Sequence, residues 1–227
     1  RLASLLQEIG RPVVIVGHSC GGLVSYAAVH RVPQLVRAVL FAGTPFTASD
    51  AYLEDLTPGA PAYCRHLPSR ISVTMPSLFA LFPVLSDPRI ASARFWLERR
   101  LGFFGSSEKQ RRAHDTEQVV QHLEKAIQAA KSFRMIIETP LPTQNRPAIA
   151  IMASESFPTR WKIRELENPN FSDEGMQIEP GDGRVTFTAA TALPGIAQTG
   201  AKTYSTKKHH VHLLDDVHLI AKILNTF

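Results

Sequence analysis

The stretch from Val13 to Ala42 constrains the fold more than any other part of the chain. Val13–Val16 is a short, unbroken apolar run rich in β-branched residues, the pattern of a strand buried on both faces. Gly17–Gly22 follows as a turn, and Leu23 to about His30 reads as a helix that ends before Pro33. Val36–Ala42 is a second run of apolar residues, broken only by Arg37. Strand, helix and strand within about 30 residues make a βαβ unit, so the sheet is parallel there. The expected class is α/β, a mostly parallel sheet flanked by helices.

The remaining periodicities divide the chain. Residues 1–10 read as an amphipathic helix carrying Leu2, Leu5, Leu6 and Ile9, stopped by Gly10 and Pro12. Residues 47–140 hold many prolines, an apolar stretch from Met75 to Leu85, and a strong helix from about Asp115 to Phe133. In that helix Val119, Val120, Leu123, Ala126, Ile127 and Ala130 share one face. The next buried strand is Pro147–Met152. Residues 1–46 and 141–227 therefore form the core, and 47–140 a largely helical insertion between two strands. Residues 156–195 read as loop-rich, a strand is expected around Ala201–Thr206, and a helix closes the chain.

Composition narrows the partners. The 227 residues carry a net charge of +5, with positive side chains scattered apart from Arg99–Arg100, Arg111–Arg112 and Lys207–Lys208. Such short clusters read as solvated surface, so no nucleic-acid partner is expected, while transient contact with an anionic lipid surface stays open. Cys20 and Cys64 are too few for a disulfide framework, and Cys20 is expected to be buried under its turn. One glycosylation sequon occurs, at Asn170-Phe171-Ser172. No stretch approaches the roughly 18 apolar residues of a spanning helix. The sequence opens at Arg1 inside a helical pattern, so a cut through a longer protein is expected, with any targeting segment upstream.

The chemistry centres on Gly17-His18-Ser19-Cys20-Gly21, which satisfies G-x-S-x-G. Chance gives on the order of 0.1 such matches in a chain of this length, and the position between a buried strand and a helix gives the match its meaning. A nucleophile at the apex of so tight a turn needs a strained backbone, and neighbours two residues away should lack side chains. The helix that follows brings its first N–H groups near a developing oxyanion. The alternative, a phosphate-binding loop, lacks both G-x-G-x-x-G and the P-loop lysine.

A serine hydroxyl needs a base, and the base needs an orienting acid. In the strand–turn–helix hydrolases the acid and then the histidine follow the serine in the chain. Glu155, Asp173, Glu174, Glu179 and Asp182 are candidate acids; Asp182, between Gly181 and Gly183, suits a tight loop at a strand end and equally an exposed β-turn. His209, His210 and His212 all lie where a base should, after the last strand, and spacing does not choose among them. His218 falls in the closing helix, and His30, His66, His114 and His122 are misplaced for a base. Asp215 and Asp216 are the only carboxylates beside the histidine cluster, so neither a metal nor a cofactor is expected.

Taken together, "IVGHSCGGL", "VRAVLFAGTPF", "PGDGRV" and "HHVHLLDDV" resemble the α/β-hydrolase superfamily, and within it the lecithin:cholesterol acyltransferase-like lipases. The resemblance implies Ser19 as nucleophile, Asp182 as acid and His210 as base, with the backbone N–H of Cys20 in the oxyanion hole. It also implies strands and an oxyanion-forming loop ahead of Arg1, so this stretch alone is expected to have little activity. The function implied is cleavage of carboxylic esters, lipid-like or small, through an acyl-enzyme. Acyl transfer to an alcohol such as a sterol or glyceride is one alternative, and a non-catalytic module of the same fold is another. Residues 47–140 would cap the site, with Met75–Leu85 either receiving an acyl chain or packing the cap.

Overall fold

The computed structural model describes residues 1–56, 73–98, 113–166 and 172–227. Cys64, His66, Arg99–Arg100, Arg111–Arg112 and the Asn170-Phe171 part of the sequon lie outside the described residues, as does the His114 side chain. The chain divides into two compact units, Arg1–Thr47 with Ile136–Phe227, and Ala48–Met135.

In the first unit, strands β1 (Val13–His18), β2 (Val36–Ala42), β3 (Ala148–Ser154) and β6 (Lys202–Thr206) form one sheet in the order β1-β2-β3-β6. All three pairings are parallel. Helix α1 (Leu2–Ile9) ends at Gly10, whose φ of 67° lets its N–H reach back to the Leu6 carbonyl. Helix α2 (Cys20–Arg31) is the crossover between β1 and β2. It buries Tyr26 among Phe41 and Phe46, with ring centroids 6.1 and 5.7 Å away. On the sheet's other face Leu40, Ala42, Ala150 and Met152 pack with Leu213 and Ile223, the latter from the closing helix α8 (Val217–Leu224).

The sheet differs from expectation at β1. Val14 and Val16 are 42% and 43% exposed, because β1 lies at an edge of the described sheet. A mainly apolar run thus marks β2 and β3 as buried, apart from Arg37 and Ala148, but not β1.

A second difference falls in the region expected to be loop-rich. There β4 (Phe157–Ile163) and β5 (Met176–Gly181) pair antiparallel, with Pro158 opposite Pro180. Prolines inside a run argue against a ladder, yet a two-stranded ribbon has outer edges on which a missing N–H costs nothing. Helices α6 (Phe187–Thr191) and α7 (Ile196–Thr199) follow it. Thr186 caps α6 by accepting the Ala189 N–H.

The second unit contains α3 (Pro76–Phe79), α4 (Ala93–Glu98) and most of α5 (Ala113–Ile137). Leu123, Ala126, Ile127 and Ala130 of α5 are buried at helical spacing. Phe79 and Phe82 lie edge-on to Trp96, at 4.9 and 5.1 Å, and all three are fully buried. The aromatic residues of Met75–Leu85 thus build this unit's own core, leaving Met75 and Leu85 at the surface. Among the described residues no helix is long and apolar enough to cross a membrane.

Candidate active site

Four parallel strands direct their carboxyl ends to one edge of the sheet, where α/β proteins place ligands and chemistry. Ser19 stands there, immediately after β1 and before α2. Its backbone N–H continues the β1–β2 ladder by donating to the Ala42 carbonyl at 2.9 Å. The chain then reverses at once into the helix, which sets Ser19 at φ 54° and ψ −130°. Non-glycine residues seldom adopt such a conformation, and it costs of order 1–3 kcal/mol.

Small residues permit the turn, though not the pair expected. A Cβ on Gly17 would come within 2.7 Å of the Gly22 Cα, and one on Gly22 would lie 1.8 Å from Thr44 Oγ1. A Cβ on Gly21 would meet nothing within 4 Å. Helix α2 therefore approaches the β2 end through Gly22, and Gly21 of the five-residue motif is sterically dispensable. Thr44 is so enclosed by this approach that its hydroxyl oxygen is buried with no hydrogen-bond partner among the described residues. Cys20, the first residue of α2, is exposed, contrary to the burial expected.

Asp182 follows β5 directly. Its backbone N–H donates to the Val185 carbonyl at 3.1 Å, closing the loop. Its Oδ1 accepts the N–H groups of Arg184 and Val185 at 2.9 and 2.7 Å. The side chain is 2% exposed, so this is a buried carboxylate with fixed donors and not a solvated turn.

The remaining oxygen, Oδ2, accepts a hydrogen from His210 Nδ1 at 2.8 Å. A carboxylate offers no proton, so Nδ1 carries the hydrogen and Nε2 presents a lone pair. Nε2 lies 3.0 Å from Ser19 Oγ. The His210 backbone also donates to the Asp182 carbonyl at 2.8 Å, so main chain and ring are latched to the same residue.

The other candidates go elsewhere. The His209 ring lies edge-on to Phe157 at 5.2 Å and fills the space above Gly183. His212 pairs with Asp215 at 2.7 Å in solvent, and His218 is exposed on α8. His30 and His122 bond the carbonyls of Thr139 and Val73. Burial pushes His30 below the ordinary imidazole range. Glu155 and Glu174 are exposed, Glu179 stands mid-ribbon opposite Thr159, and the Asp173 side chain lies outside the description. Among the described residues no group of three His, Cys, Asp or Glu side chains could hold a metal ion.

Two residues that pattern reasoning missed shape the site. Gly43 follows β2 at φ 55°. A Cβ there would lie 2.4 Å from Leu213 Cδ1, 2.8 Å from Asp182 Oδ2 and 3.2 Å from His210 Nδ1. The His–Asp pair crosses the sheet over this bare backbone. A glycine directly after an apolar strand, in "FAGTP", is the signal that could have found it. Thr159 on β4 is the second: its hydroxyl accepts the Gly183 N–H at 2.9 Å and ties the acid loop to the ribbon.

Comparison with known proteins agrees with the architecture. Residues 1–195 match the model of the alpha/beta hydrolase family. No curated protein matches the chain. Among solved structures, the Tle4-Tli4 complex contains a similar chain, with a TM-score of 0.58 and 14% identity. That likeness covers 95% of this chain and 60% of the other, so this chain spans about three fifths of its length. An N-formylmaleamic acid deformylase from Pseudomonas putida S16 aligns at 12% identity over 92% of this chain and 64% of the other. Its TM-score is 0.32.

Proposed function

For a chain that belongs to the alpha/beta hydrolase family, we propose a serine hydrolase that cleaves carboxylic esters through an acyl-enzyme on Ser19. The observation that carries the reading is the unbroken line from Ser19 Oγ to His210 Nε2, at 3.0 Å, and from His210 Nδ1 to Asp182 Oδ2, at 2.8 Å.

In this reading His210 takes the Ser19 proton as Oγ attacks the ester carbonyl, and Asp182 holds the imidazole tautomer and stabilises the imidazolium. The negative oxygen of the tetrahedral intermediate lies at the start of α2, where the Cys20 N–H and the helix dipole favour it. Collapse expels the alcohol, which leaves with the proton from His210, and water then repeats the sequence in reverse on the acyl-enzyme. An alcohol in place of water would make the same site an acyltransferase. The lipase-like character rests on the motifs "GHSCGGL" and "PGDGRV" with the histidine segment. The buried state of Phe79 and Phe82 favours packing over acyl-chain binding for those rings.

The test is turnover of p-nitrophenyl esters of increasing chain length by the full-length protein and its Ser19→Ala variant. The variant should lose kcat by on the order of 10⁶-fold. Undiminished turnover would remove Ser19 from the mechanism, and product analysis with an added alcohol separates transfer from hydrolysis.

A further inference from the structure

Three contacts tie His210 to the acid and the nucleophile: its N–H and Nδ1 bond Asp182, and its Nε2 lies on Ser19. A further contact is made by its main-chain carbonyl, which lies 2.9 Å from Nε2 of His18. His18 is the last residue of β1, in register with Ala42 of β2, and is bonded covalently to Ser19. A carbonyl has no hydrogen to give, so His18 Nε2 must carry a proton, and in the neutral ring Nδ1 then holds the lone pair. The two imidazoles sit 4.8 Å apart, tilted by 39°.

We infer that His18 is a positioning residue, whose Nε2–H holds the His210 carbonyl and so sets the base at its working distance from Ser19. The contact closes a ring: Ser19 to His18 through one peptide bond, His18 to the His210 main chain through a hydrogen bond, and the His210 side chain back to Ser19. Asp182 orients the base from one side, and His18 references it to the strand that carries the nucleophile. The inference rests on the reading of His210 as the base.

The chemistry of turnover suits a neutral donor here. When His210 accepts the Ser19 proton, an imidazolium forms beside the His18 ring, and a second cation there would oppose it. Burial, and then the charge of His210, push His18 below the ordinary imidazole range, against weaker opposing effects of the carbonyl bond and of Asp182. A lysine or arginine could donate to the same carbonyl, but only by placing a permanent charge where the reaction makes one.

The experiment compares His18→Gln, which keeps a donor at similar reach, with His18→Phe, which keeps a ring and loses the donor. Both are made in the full-length protein, with Ser19→Ala as control. Steady-state kinetics should show His18→Phe reduced in kcat by about 10- to 100-fold, the scale of a misplaced catalytic group. KM should hardly change, and His18→Gln should retain most of kcat. Wild-type kcat in His18→Phe, with Ser19→Ala inactive, overturns the positioning role alone. Activity in Ser19→Ala overturns the base reading on which it rests. Nitrogen-15 NMR of the wild type needs no variant: a neutral Nε2–H tautomer at His18 is expected at pH 7, and an Nδ1–H tautomer contradicts the inference.

Discussion

Two tight turns meet at the sheet's edge, and they hold their side chains by opposite means. The turn from Gly17 to Gly22 holds Ser19 through backbone strain: φ is 54°, and the seryl side chain makes no capping bond to α2. The loop from Gly181 to Thr186 holds Asp182 through hydrogen bonds, two to Oδ1 and one to Oδ2. The difference follows from what each group does in the proposed reaction. A nucleophile must keep its hydroxyl for the base and the substrate, so its position is fixed by main chain and packing. An orienting carboxylate never leaves its partners, so bonds to the charged oxygens can fix it.

The sharpest way to break this contrast is at the acid. Asp182→Asn keeps shape but brings an amide N–H against the N–H groups of Arg184 and Val185 or against His210 Nδ1–H. We expect kcat to fall by about 10⁴-fold through the wrong histidine tautomer. Near-normal kcat would mean that the carboxylate does not orient the base.

At the nucleophile turn the contrast is one of space, and the two adjacent glycines test it. Gly22→Ala drives a methyl into Thr44 and should cost about 1–3 kcal/mol by denaturant unfolding. Adding Thr44→Ala should restore much of that loss, because the clash is pairwise. Gly21→Ala meets open space and should be neutral or stabilising by up to about 1 kcal/mol. Equal costs at both positions would refute the account of how α2 approaches the sheet.

The smallest effect is electrostatic. His18 and His30 both have imidazoles pushed below the usual range, first by burial. Each therefore takes up a proton more readily when unfolded than when folded. The stability tied to their neutral forms is present above the unfolded value of about 6.5 and is lost as pH falls through the folded values. The thermal midpoint should drop between pH 7 and pH 5, and by less in His18→Gln. An identical drop in that variant would place the effect elsewhere.

How much of this was legible in the sequence depends on the kind of signal. Val36–Ala42 is apolar apart from Arg37, and it is a strand buried at every residue but that one. Val13–Val16 has the same appearance, yet Val14 and Val16 are exposed, since composition reports apolarity and not whether a neighbour exists. The ribbon Phe157–Ile163 with Met176–Gly181 was hidden by its prolines. Spacing alone left His209, His210 and His212 equal, and the resemblance favoured His210. The geometry that separates them is non-local: only His210 comes within hydrogen-bond reach of both Ser19 and Asp182. Gly43 escaped for the same reason, because what makes it indispensable is side chains arriving from elsewhere in the chain.

The most direct measurement is covalent labelling of the full-length protein with a serine-reactive fluorophosphonate, followed by peptide mapping. The account predicts stoichiometric modification on Ser19, lost in Ser19→Ala and slowed strongly in Asp182→Asn. Modification at full rate on another residue, with Ser19 unlabelled, would contradict it.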